Sequence, residues 1–169
     1  MKTGKLSFFT ILFMLSAYSG LYAQWSDMEW KVNNLKFKYP TKFTVKQNDE
    51  STFTASGSIF TMTLKAWEDD EFYTAEEICK EAANTINTTN LKLIEETAIE
   101  YQNGLVGHEA YYTAYQDGKF MHMIIAGYQD EVYMYDYSVQ ILYWDDPKQN
   151  DINKKAATYI LRSLGLMDE

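Results

Sequence analysis

The chain is poor in the residues that most often carry chemistry or covalent bracing. Its 169 residues include one cysteine, one arginine, two histidines and two prolines. A lone cysteine, Cys79, excludes an internal disulfide. Arg162 is the single arginine, and acids outnumber lysine plus arginine by 24 to 15. Nucleic acid and anionic lipid heads both recruit clustered cations, so this chain is a poor partner for either. No Gly-x-Ser-x-Gly elbow, no glycine-rich phosphate loop and no Cys–His partnership is set by spacing. The adjacent acids Glu95-Glu96 and Asp145-Asp146 would diverge to opposite faces on a strand, so neither makes an acid–base couple. No catalytic residue is assigned, no cofactor is called, and the chain reads as non-enzymatic.

What is present first is an address. Lys2 and Lys5 precede an uncharged apolar stretch, Leu6–Leu21, and Leu21-Tyr22-Ala23 places a small residue before Gln24. This is the form of a cleavable export signal over 1–23; an N-terminal membrane anchor is the other reading, but the run is short for a span. No cysteine follows to take a lipid. The remaining 146 residues, 24–169, make one domain, and losing the two lysines takes the net charge from −9 to −11. The expected location is the periplasm of a Gram-negative bacterium, with secretion as the alternative.

The stretch Gly104–Tyr143 organises the domain. Asp117-Gly118 lies between two apolar runs, the signature of a two-residue type I′ hairpin. That turn sets Gln116 opposite Lys119, Tyr115 opposite Phe120, Thr113 opposite His122 and His108 opposite Gly127. The two histidines are then about 17 Å apart, at about 3.4 Å per residue, and on opposite faces. They cannot share a metal ion, and none is called. A third run, Val132–Tyr143, follows a polar corner near Asp130-Glu131 and completes an antiparallel meander in the middle of one sheet. Both faces of the hairpin are substantially apolar, which predicts cover on both sides.

Around this meander the pattern predicts further elements. Leu35, Phe37 and Tyr39 alternate on a strand ended by Pro40, and Phe43–Val45 resumes it. Gln47–Ser51 reads as a loop, Thr52–Ala55 and Ile59–Trp67 as strands, and Trp25–Asn34 as a lead-in pinned by tryptophans. Glu68–Glu71 is a run of four acids, read as a solvated loop over a cation site because it lacks the glycine and spaced ligands of a calcium loop. Thr74–Ile86 is a helix with Thr74 and Glu77 in capping-box spacing and Cys79 on its apolar face. Leu91–Tyr101 is ambiguous, with Glu95 and Glu96 suited to an edge or bulge. Asn150 or Asp151 is placed to cap a last helix through about Ser163.

The tyrosine side of the meander is the one feature with functional pull. Tyr111, Tyr115, Tyr133, Tyr135, Tyr137 and Tyr143 offer apolar area with polar tips and form the candidate ligand or partner surface; helix-covered core is the plainer reading.

The order Phe37-x-Tyr39-Pro40, Phe43, two strands, a helix opening Thr74-Ala75-Glu76-Glu77, a glycine-containing entry at Asn103–Glu109 into a three-strand meander, and a closing helix ending Ile160–Leu164 resembles the PsbP-like fold. That group includes the extrinsic oxygen-evolving protein of photosystem II and a Ran-binding import factor. The resemblance spans Asn33 to Leu166. It implies an α+β domain, an antiparallel sheet of about six to seven strands with helices on both faces (an α/β/α sandwich), and no enzyme activity. The expected function is exported binding or assembly through another exported or envelope protein, without stable membrane insertion; the alternative is a small-ligand carrier with a Tyr/Met-lined pocket between sheet and helix.

Overall fold

A computed structural model of the chain describes residues 25–67, 74–100, 105–130 and 135–167. In chain order these form β1 (Trp25–Trp30), a 3-10 turn (Lys31–Asn33), β2 (Leu35–Pro40), β3 (Thr44–Asn48), β4 (Thr52–Ser56), β5 (Phe60–Trp67), α1 (Ala75–Asn84), β6 (Thr89–Glu100), β7 (Leu105–Gln116), β8 (Lys119–Asp130), β9 (Asp136–Trp144), α2 (Asn150–Arg162) and β10 (Gly165–Leu166). Seven strands make one antiparallel sheet in the order β3-β4-β5-β9-β8-β7-β6. Three more, β1-β2-β10, make a small second sheet.

The hairpin between β7 and β8 turns at Asp117 (φ 50°) and Gly118 (φ 74°), the two positive φ values a type I′ turn demands. Its register is the expected one: Gln116 pairs with Lys119, Thr113 with His122 and His108 with Gly127. β9 then pairs with β8, setting His122 beside Tyr143 and Tyr128 beside Tyr137. Residues 124–128 of β8 are buried on both faces, because both faces are covered.

One face meets α1. Thr74 accepts from the Glu77 amide while Glu77 accepts from the Thr74 amide, so the capping box forms as expected. Cys79, Ala82 and Ala83 of the helix pack on Ala110, Met121, Met123 and Ile125. Small helix residues let the backbone come close, and Gly127 takes the closest approach: a β-carbon there would lie 2.1 Å from the Ala75 carbonyl oxygen.

The opposite face meets α2 together with the small sheet. Ala157, Ile160 and Leu161 of α2 and Trp30, Leu35 and Phe37 of the small sheet close over Ile124, Tyr128, Tyr137, Val139 and Ile141. A helix thus lies on each face, but this side also carries a β-layer that the alternation did not suggest. Trp25–Asn34, expected as a lead-in, is β1 plus the 3-10 turn, and its Trp30 is a core residue whose indole donates to the Asp49 carbonyl. β10 pairs only two residues, too few to leave a periodic signal.

Other boundaries shift for local reasons. Gln47 and Asn48, expected in a loop, belong to β3, whose register against β4 slips between Val45 and Gln47. The ambiguous segment is β6, an edge strand with slips between Thr89 and Lys92 and between Leu93 and Glu95. Gln149 precedes α2 without a side-chain cap, because Asn150 instead braces the turn before it: its side chain donates to Asp145 and accepts from the Asp146 amide. The signal segment, the acidic run Glu68–Glu71 and Tyr133 lie outside the described residues. No described helix is long and apolar enough to cross a membrane.

Candidate functional site

The five described tyrosines of the six, Tyr111, Tyr115, Tyr135, Tyr137 and Tyr143, do not assemble into one surface. Tyr137 and Tyr143 are 1 % and 2 % exposed, since the inward alternation of β9 puts them beneath the layer formed by α2 and the small sheet. The Tyr137 hydroxyl donates to the Asn33 carbonyl at 3.2 Å. Burial pushes both phenols well above the usual tyrosine value. Tyr111 is half-buried. Tyr115 and Tyr135 are 41 % and 57 % exposed, but they stand at opposite ends of the sheet.

What the strands bring together instead is a cluster around His122. The imidazole is buried between aromatic rings: Tyr111 stacks at 5.8 Å, Tyr143 at 5.1 Å, and Phe120 meets it edge-on at 5.3 Å. Nε2 lies 2.8 Å from Asp145 Oδ1, and Nδ1 lies 2.5 Å from the Tyr111 hydroxyl. A carboxylate accepts, so Nε2 carries the proton and Nδ1 offers its lone pair to the phenol O–H. The His122 N–H and then the Asn150 amide hold the Asp145 carboxyl below its ordinary value. Burial pushes Tyr111 up. The Lys154 ammonium sits 4.4 Å from the Tyr111 ring centroid and also pairs with Glu95.

This chain of acid, imidazole and phenol contains the acid–base contact that the sequence did not display. Asp145 lies 23 residues from His122, so local spacing carries no trace of it. The signal was in the register: extending the meander to its third strand sets Tyr143 beside His122, and Asp145 follows two residues later. His108, on the other face, pairs with Glu96 at 3.2 Å and takes no part. Among the described residues no three His, Cys, Asp or Glu side chains converge on one point.

Cys79 is buried, and burial raises its thiol to about 12, which makes it a packing residue. An open cleft of about 690 Å³ lies between the 3-10 turn and the β3–β4 turn, lined by Glu29, Val32, Asp49 and Glu50 among others. It is polar and at the loop end, away from the interface between sheet and helix.

A second feature sits at the end of the sheet carrying the Asp117-Gly118 turn. Trp144 is 46 % exposed, with the Lys119 ammonium 5.7 Å from its ring, and Tyr115 touches Phe120 at 5.1 Å between centroids. Ile59 immediately precedes Phe60, which pairs with Tyr143, and Leu91 lies two residues after Thr89, which pairs with Tyr115. All four side chains are exposed.

No family model matches the chain, and no curated protein matches it by sequence. Solved structures do. The Ran-binding protein Mog1p of Saccharomyces cerevisiae superposes with a TM-score of 0.64 at 8 % identity, covering 86 % of this chain and 97 % of that one. A Pseudomonas aeruginosa protein of unknown function, PA94, described as a putative regulator, gives 0.53 at 12 % identity over 86 % and 99 %. LpqN of Mycobacterium tuberculosis, described as involved in cell envelope biogenesis, gives 0.51 at 8 % identity over 86 % and 91 %. These likenesses agree at the level of the fold with the PsbP-like resemblance of the sequence; at such identities they establish a shared α+β fold and nothing finer.

Proposed function

We propose that this is a non-enzymatic, exported member of the PsbP-like group that binds another exported or envelope protein as a partner or assembly factor. The observation that carries the reading is the set of exposed apolar side chains at the turn end of the sheet, Ile59, Leu91, Tyr115 and Trp144. Tyr115 and Trp144 stand on opposite faces of that end, since their partners Phe120 and Met121 are neighbours on β8; tryptophan and tyrosine exposed at the rim of a rigid sheet are the residue types that anchor protein contacts. Supporting it, one protein of similar fold is described as Ran-binding and another as acting in envelope biogenesis. The periplasmic address rests on the N-terminal signal pattern.

The test is affinity capture from periplasmic extract with the wild-type chain and with a Tyr115→Ala/Trp144→Ala double variant as baits. One partner bound by the first and lost by the second is expected. No specific partner, or equal recovery with both baits, would count against the reading. The small-ligand carrier is separated by native mass spectrometry: a co-purifying small molecule favours it. The dense packing of Cys79, Ala82 and Ala83 on the sheet argues against a pocket beneath α1.

A further inference from the structure

A phenol is a poor electron donor while it keeps its proton. Electron loss alone leaves a strongly acidic radical cation, so a tyrosine yields an electron readily only where a base already waits at its O–H. Tyr111 has such a base. Its hydroxyl lies 2.5 Å from His122 Nδ1, within the reach that proton transfer needs, and the two rings are within 8° of parallel. On the far side Asp145 Oδ1 lies 2.8 Å from Nε2, and the Asn150 amide holds Asp145 in turn. A carboxylate there keeps the lone pair on Nδ1 and favours the imidazolium once that nitrogen is protonated. His122 is 6 % exposed, so water has little access to the pair. The chain's other histidine, His108, meets Glu96, and among the described residues only His122 meets a phenol.

Lys154 adds a second constraint. Its ammonium lies 4.4 Å from the Tyr111 ring centroid. A cation over a ring is attracted by the neutral π-face and repelled by positive charge placed on it. Electron loss that leaves the ring charged is thereby penalised, whereas loss of the electron together with the proton leaves it neutral. Glu95, paired with Lys154, moderates this penalty. Tyr111 is half-buried, so an electron can pass to a molecule at the surface without that molecule entering the core.

We propose that Tyr111 is a redox-active tyrosine that gives one electron to a small outer-sphere oxidant of the high-potential metal-complex class while its proton passes to His122. The Tyr111 O–H bond breaks, the proton binds His122 Nδ1, and the electron reduces the oxidant. The products are a neutral phenoxyl radical, an imidazolium held by Asp145, and the reduced oxidant. Return of an electron from a reductant, with the proton moving back from Nδ1, restores the phenol. The exchange uses neither Tyr115 nor Trp144, so it holds or fails independently of the partner-binding reading.

The full chain is mixed with hexachloroiridate(IV) in a stopped-flow instrument, in H2O and in D2O, and parallel samples are frozen for electron paramagnetic resonance. A tyrosyl radical signal is expected, and it should form more slowly in D2O, because the O–H bond breaks as the electron leaves. Tyr111→Phe keeps the ring and should lower the initial oxidation rate about 100-fold, the low end of what a positioned proton acceptor contributes, leaving a slow background from the other aromatic residues. Asp145→Asn should slow formation of the same radical without abolishing it, since the imidazolium loses its counter-charge. Equal rates in H2O and D2O would mean that the electron leaves without the proton, and would overturn the proposal. So would a Tyr111→Phe variant that oxidises as fast as wild type, and so would an unchanged rate in Asp145→Asn, which would reduce the contact to packing. Thermal melts establish that each variant is folded; where Tyr111→Phe is not, the isotope comparison on the wild type decides.

Discussion

Gly127 of β8 lies against Ala75 at the start of α1, so close that a β-carbon on the glycine would stand 2.1 Å from the Ala75 carbonyl oxygen and 2.7 Å from the Cys79 nitrogen. Both are backbone atoms, and neither can turn aside as a side-chain tip would. Gly127→Ala therefore pushes α1 off the sheet. The expected loss is at the upper end of overpacking costs, about 3 kcal/mol, read as a fall in the urea midpoint with an unchanged slope. A midpoint equal to wild type would show that the helix does not sit this low.

Asp145 provides a pH test with a definite sign. Its carboxyl is held below the ordinary value by His122 and then Asn150. A depressed folded value contributes stability that is present above the unfolded value and lost as pH falls through the folded one. Asp145→Asn should thus be less stable than wild type at neutral pH, and the gap should close on acidification below about pH 4. Thermal melts of both proteins from pH 7 to pH 2 measure it; a gap independent of pH would remove the carboxylate from the account.

Cys79 should be silent. A thiol raised to about 12 by burial is protonated at pH 8 and shielded from reagents. Native protein should not react with iodoacetamide over an hour, whereas protein in 6 M guanidinium should react fully and at one site. Rapid labelling of the native chain would place the cysteine in an open setting and undo the packing described for α1.

The features that sequence disclosed were those whose cause is local. Positive φ at Asp117 and Gly118 follows from residue type, and it alone propagates a register along twelve pairs of β7 and β8. The capping box at Thr74 and Glu77 is likewise a matter of three-residue spacing. Two-sided cover of the sheet was legible because Met121, Met123 and Ile125 alternate with equally apolar neighbours. What covers the second face was not, because the small sheet is closed by β2 meeting β10 across most of the chain, as when the Met167 amide donates to the Asn34 carbonyl. The tyrosines show the limit most clearly. Alternation assigned Tyr137 and Tyr143 to a common side, but whether that side was wet depended on where α2 came to rest. The Asp145–His122 contact depended on that same placement, through the Asn150 brace.

The register slips in β3 and β6 fall on the first and last strands of the seven, the two rims where a further strand would have to attach. At a bulge the outward row of amides and carbonyls loses its even spacing and the strand twists away. Each rim of the large sheet therefore offers only a broken or shortened template for ribbon growth, with the even stretch Glu95–Glu100 of β6 the longest run left for a strand to add to.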